Sequence, residues 1–190
     1  MKQLGILGKI IPEFKMIQGQ MQFDMFHIYT VDEHTFKVVR NMRQMYIGTN
    51  IKDFDMESEL IRKLPKIEIL YLAGLFHDLG KGKGGNHSEI GSSMVHDFAL
   101  RAGISKADEE LLVWLVKNHL FMSSIAQKKD VHDKHTVDDF IATVNTIEKL
   151  NYLFLLTIND IRGTNPNICL LYTSDAADEG LGVDLGGRRI

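Results

Sequence analysis

Residues 66–85 read KIEILYLAGLFHDLGKGKGG. Apolar side chains fall on every face of this stretch, through Ile67, Ile69, Leu70, Tyr71, Leu72, Ala73, Leu75 and Phe76. The pattern predicts a helix from about Lys66 to Asp78 that is buried on several sides. It ends on His77 and Asp78 and runs into a glycine-rich turn from Gly80 to Gly85. A carboxylate at the inner end of a core helix is costly to bury alone, so it pairs with a cation or binds a metal.

Helical spacing continues outward on both sides. Thr30-Val31-Asp32-Glu33 has the pattern of a capping box. The helix that follows carries Val31, Val38, Val39, Met42, Met45 and Tyr46 as one apolar face. Further helices are expected from about Ser88 to Ala102, Ala107 to Phe121, Val137 to Val144 and Ile147 to Ile161. Ser105-x-x-Asp108 is a second cap. Strand alternation is not convincing anywhere, so the expected fold class is all-α. The 190 residues suffice for one core. A net charge of −3 without a basic run does not favour nucleic acid or an anionic membrane. Cys169 is the single cysteine, which fits a reducing cytoplasm. No stretch reads as a signal peptide or a membrane span.

The polar exceptions to this apolar pattern repeat. His34 lies three residues after Val31 and four before Val38, on the apolar face of its helix. His119 follows the run Leu111 to Val116, and Asp160 follows Leu150 to Ile158. A single histidine on an apolar face is more often a hydrogen-bonded core residue. Two carboxylates and three imidazoles at the inner ends of core helices instead indicate a metal centre.

His34, then His77-Asp78 in LFHDLGKGKGG, then Asp160 in TINDIRGTNP, resemble the H…HD…D signature of the HD phosphohydrolase superfamily. The resemblance implies an HD-domain helical bundle with a metal site at its core. It implies that His34, His77, Asp78 and Asp160 hold a divalent cation. His87 in GGNHSEIG and His119 in VKNHL match the histidines that hold a second metal in binuclear members. Longer blocks (Gln18 to Met42, Leu72 to Gly91, Trp114 to Asp133 and Leu156 to Pro166) are similar to the central domain of the bifunctional uridylyltransferase/uridylyl-removing enzymes, across residues 1–168.

That closer resemblance implies hydrolysis of a phosphodiester, the removal of UMP from a tyrosine of the PII nitrogen-regulatory protein. It implies two ions, Mn²⁺ or Mg²⁺. Asp78 and Lys81 are the catalytic candidates, Asp78 as a possible bridge between ions and Lys81 as a cation for the phosphate oxygens. The family adds an N-terminal nucleotidyltransferase and C-terminal ACT domains through which glutamine acts as effector. This chain has no Gly-Ser loop followed by Asp-x-Asp, so it carries no sign of the transferase. The alternatives are an HD hydrolase of free nucleotides and a non-catalytic HD regulatory module.

Other features have plainer readings. GKGKGG lacks the P-loop pattern; its glycines let the chain turn so that His87 reaches the cluster. His27 is structural or supports the site, while His96, His132 and His135 lie among surface residues. Lys128-Lys129-Asp130 is a solvated helix end. Residues 1–168 are expected to form the domain. Residues 169–190 lose helical period and are similar, up to Glu179, to a translated sequencing adapter, so they are expected to be a non-native or disordered tail.

Overall fold

A computed structural model describes residues 7–21, 29–48, 55–128 and 133–164. His27, Lys129, Asp130, His132 and the expected tail, 169–190, lie outside the described residues. The helices are α1 (Leu7–Ile10), α2 (Val31–Ile47), α3 (Asp55–Arg62), α4 (Ile67–Phe76), α5 (His87–Ala102), α6 (Lys106–Lys117), α7 (Phe121–Lys128), α8 (Lys134–Val144) and α9 (Ile147–Thr164). A 3-10 turn, Pro12–Ile17, follows α1. Among the described residues there is no strand, only one isolated antiparallel bridge between Met21 and Thr30. The expected all-α class holds.

The apolar helix α4 lies at the centre and touches α2, α5, α6 and α9. Its Leu70, Ala73 and Phe76 are wholly buried with Val38, Met42 and Met45 of α2, Leu112, Leu115 and Val116 of α6, and Leu153 and Leu156 of α9. An all-round apolar helix can lower its free energy only by such a surround. Tyr152 holds the residue before its first turn: the hydroxyl accepts from Lys66 N at 3.2 Å and donates to Lys66 O at 2.9 Å. One buried phenol therefore ties the start of α4 to α9.

Helix ends follow the sequence with some corrections. Ser105 accepts from Asp108 N as expected. Thr30 is the N-cap of α2, but its hydroxyl donates to Asp32 Oδ1 at 2.6 Å instead of capping the backbone. The buried face of α2 is Val31, His34, Thr35, Val38, Met42 and Met45, while Tyr46 is exposed. The helix expected to run to Phe121 stops at Lys117, where Asn118 Nδ2 donates to the Trp114 carbonyl at 2.8 Å. His119 thus sits in a turn, and α7 starts afresh at Phe121.

Candidate metal centre

Five elements deliver polar side chains to one point beside the core. His34 comes from the buried face of α2 and Asp160 from α9. His77 is the C-cap of α4, and Asp78 is the next residue. His87 opens α5, which Asn86 caps by accepting from Ser88 N. His119 comes from the turn after α6. The glycine-rich stretch makes the approach of α5 possible: a Cβ on Gly80 would overlap the His87 carbonyl and lie 2.9 Å from Gly91 N. Only a residue without a side chain fits between these backbones.

The contacts are close. His34 Nε2 lies 2.9 Å from Asp160 Oδ1 and 3.2 Å from His77 Nε2. His77 Nε2 lies 3.2 Å from Asp78 Oδ2 and 3.4 Å from Asp160 Oδ1. The other oxygen of Asp78, Oδ1, faces His119 Nε2 at 3.8 Å and His87 Nε2 at 3.9 Å. Two groups result, each with ligand atoms within 4.8 Å of one another: His34, His77 and Asp160, and Asp78, His87 and His119. Asp78 offers one oxygen toward each. All six residues singled out in the sequence are brought together.

Backbone carbonyls aim two of the rings. His77 Nδ1 donates to Gly74 O at 2.8 Å, and His119 Nδ1 donates to Val116 O at 2.8 Å. Each bond turns Nε2 toward the cluster, as ligand imidazoles require. Sequence reading could not supply these partners, because a carbonyl carries no residue signature. Lys81 Nζ reaches Asp78 Oδ2 at 2.6 Å.

Electrostatics divide the two groups. Burial pulls the His77 imidazolium down, but the charges of Asp78 and Asp160 outweigh it and hold the group up at about 10. Burial pushes the Asp78 carboxyl up, and the His77 charge and Lys81 hold it well below the usual range. Asp160 is held low against burial by His77 and His34. Burial, then the His77 charge, pushes His119 down to about 4, and burial lowers His87. The cluster is deeply but not completely buried. Asp160, Lys81 and His87 keep 17%, 16% and 28% of their side-chain surface, against 2% or less for His34, His77, Asp78 and His119.

Residues 31–160 match the HD domain family. The chain belongs to that family. The bifunctional uridylyltransferase/uridylyl-removing enzyme of Azotobacter vinelandii strain DJ is 48% identical over 168 residues, 88% of this chain and 19% of that protein. The enzymes of the same name from Pseudomonas fluorescens strain SBW25 and Pseudomonas entomophila strain L48 are 47% and 46% identical over the same share. The chain thus spans 19% of the length of the curated relatives it matches.

The donor set of this HD domain fits a divalent cation. Four imidazoles and two carboxylates converge, a mixed N and O set suited to several divalent ions. His87 Nε2 and His119 Nε2 are buried atoms with no hydrogen-bond partner, although both point at Asp78 Oδ1. Buried polar atoms are rarely left so without a reason. Of the other histidines, His96 pairs with Glu109 at 2.8 Å and remains 44% exposed, and His135 is exposed; neither joins the cluster.

Proposed function

We propose that this HD domain hydrolyses a phosphodiester, releasing UMP from the uridylylated tyrosine of a PII nitrogen-regulatory protein. The supporting observation is the pair of three-residue groups that meet on the two oxygens of Asp78, in a chain 48% identical to uridylyl-removing enzymes. His34, His77 and Asp160 would hold one ion. His87 and His119 would hold a second, with Asp78 shared between them. Mn²⁺ and Mg²⁺ suit the carboxylates and the phosphate substrate. Bound there, such ions supply Lewis acidity toward a phosphoryl oxygen and acidify water near neutral pH.

The protein's own groups set the rest. The substrate phosphate would approach past Asp160, Lys81 and His87, which keep part of their side-chain surface exposed. Lys81, bonded to Asp78 in the metal-free fold, turns its ammonium to the phosphoryl oxygens. Water adds to phosphorus and releases a proton to solvent as the tyrosyl P–O bond breaks, giving UMP and a tyrosine phenolate that takes a proton back from solvent. A phenolate leaving group with a pKa of about 10 makes a strong general acid less necessary.

In the longer parent protein a nucleotidyltransferase would add the UMP that this domain removes, and glutamine would act through ACT domains. No helix among the described residues is long and apolar enough to cross a membrane. Residues 1–168 hold no cysteine and so no disulfide, and we place the enzyme in the cytoplasm.

The test is direct. The domain, loaded with Mn²⁺ or Mg²⁺, is mixed with uridylylated PII, and free UMP is measured. UMP release that disappears in His77→Ala supports the proposal. Hydrolysis of free nucleotides with PII left modified would replace it by the nucleotide-hydrolase reading.

A further inference from the structure

Gly163, the last residue but one of α9, packs against α2 with no room for a side chain. Gly163 is buried and lies three residues after Asp160, on the same face of the helix. A Cβ there would lie 2.7 Å from Val38 Cγ2 and 3.3 Å from both Cε1 and Nδ1 of His34. The His34 ring therefore rests directly on the backbone of α9. From that position its Nε2 reaches Asp160 Oδ1 at 2.9 Å. One helix thus carries both a carboxylate of the first ligand group and the bare surface that places the imidazole beside it.

We propose that Gly163 is a positioning residue: the absence of a side chain lets the His34 imidazole lie against α9 and so sets the His34–Asp160 spacing of the His34, His77 and Asp160 group. This rests on the metal-binding reading of that group and adds a residue that touches neither metal nor substrate. A methyl group at 163 has two places to press. Val38 is the nearer and belongs to the apolar packing between α2 and α9. His34 is the farther and belongs to the cluster. The two effects separate experimentally, because Val38 can be shortened without touching His34.

The experiment measures Mn²⁺ stoichiometry and affinity, with the thermal midpoint of the metal-free protein, in four forms: the unaltered protein, Gly163→Ala, Val38→Ala and the double variant. Gly163→Ala should weaken one class of Mn²⁺ site by at least about tenfold and leave the Asp78, His87 and His119 class in place. In the double variant the midpoint should recover toward that of Val38→Ala while the weakened site stays weak. Recovery of the metal site in the double variant, or unchanged Mn²⁺ binding in Gly163→Ala, would overturn the proposal and leave Gly163 a packing residue. If the unaltered protein binds no Mn²⁺, it is the metal reading itself that fails. If Gly163→Ala does not fold, the double variant alone, compared with Val38→Ala, gives the same decision.

Discussion

Lys81 Nζ lies 2.6 Å from Asp78 Oδ2. In the metal-free protein this ammonium helps balance a buried carboxylate, and it does so at the oxygen that also faces His77. Any cation that approaches that oxygen meets a positive charge already there. Replacing Lys81 by Met should therefore tighten metal binding, by about tenfold to a hundredfold if a charge-assisted bond worth roughly 1.5–3 kcal/mol no longer competes. Hydrolysis should fall at the same time, because the phosphate loses its cation. Calorimetric metal titration beside a turnover assay checks both, and weaker metal binding in Lys81→Met would refute the competition.

Asp78→Asn separates a ligand from a core residue. A lone buried carboxylate would be relieved by losing its charge. Asp78 is not alone: Lys81 and His77 both face Oδ2, and their charges hold its carboxyl low. The amide leaves both cations with less compensation, so the metal-free protein should lose stability, on the order of 3 kcal/mol for a broken buried pair. A carboxyl held low contributes stability above its unfolded pKa of about 3.9, and that contribution fades as pH falls. The variant should accordingly differ most from the parent at neutral pH and converge with it in acid. Metal binding and hydrolysis should collapse together. Hydrolysis near the normal rate would remove Asp78 from the mechanism.

Much of this site could be read from residue order because its ligands interrupt apolar runs. His77 and Asp78 end an all-apolar helix, and His34 sits among Val31, Val38 and Met42. Such interruptions are rare enough to mark a cluster before any coordinates exist. What escaped reading was local and polar. Helix α3 has the sequence DMESELIR, in which Ile61 is the sole wholly buried apolar residue, so its period is faint. The stop at Lys117 depends on an Asn118 side chain turning back to Trp114, a choice that apolar spacing does not register. The roles of Gly74 O, Val116 O and Gly163 depend on which helices meet, which a one-dimensional pattern does not state.

Tyr152 offers a test of the fold apart from the chemistry. Its hydroxyl bridges Lys66 N and Lys66 O. Phe at this position keeps the ring and removes both bonds. Stability should fall by about 1–3 kcal/mol, the usual cost of leaving buried partners unmet. Metal stoichiometry should not change. A changed stoichiometry would show that the start of α4 governs the cluster at its other end.

Near neutral pH, metal uptake should depend on pH at one group and hardly at the other. His77 is held up at about 10 in the metal-free fold, so it is protonated at neutral pH. A raised imidazole stabilises the fold below its unfolded pKa of about 6.5, and this contribution is lost as pH rises through about 10. A cation that uses His77 must displace that proton, so affinity there should rise up to about tenfold per pH unit below 10. His119, pushed down to about 4, is already neutral and gives up no proton. Titration at pH 7.5 in two buffers of different ionisation enthalpy should count about one proton released at the first group and none at the second. Equal release at both would show that the two groups do not differ as their surroundings require.

The two groups also predict which substitutions remove which ion. Asp78 faces His77 through Oδ2 and His87 and His119 through Oδ1, so the two ion positions would share one carboxylate and little else. His119→Ala removes an imidazole aimed by the Val116 carbonyl and should leave His34, His77 and Asp160 in place. Bound Mn²⁺ at saturation should then fall from about two ions per chain to about one. His34→Ala should also leave about one, at the other group. Hydrolysis should fail in both, because the second ion clamps the opposite side of the displaced phosphate. Elemental analysis and electron paramagnetic resonance distinguish the cases, since two Mn²⁺ ions sharing a carboxylate couple and one does not. A single uncoupled ion in the unaltered protein would reduce the centre to one metal and leave His87 and His119 to bind substrate.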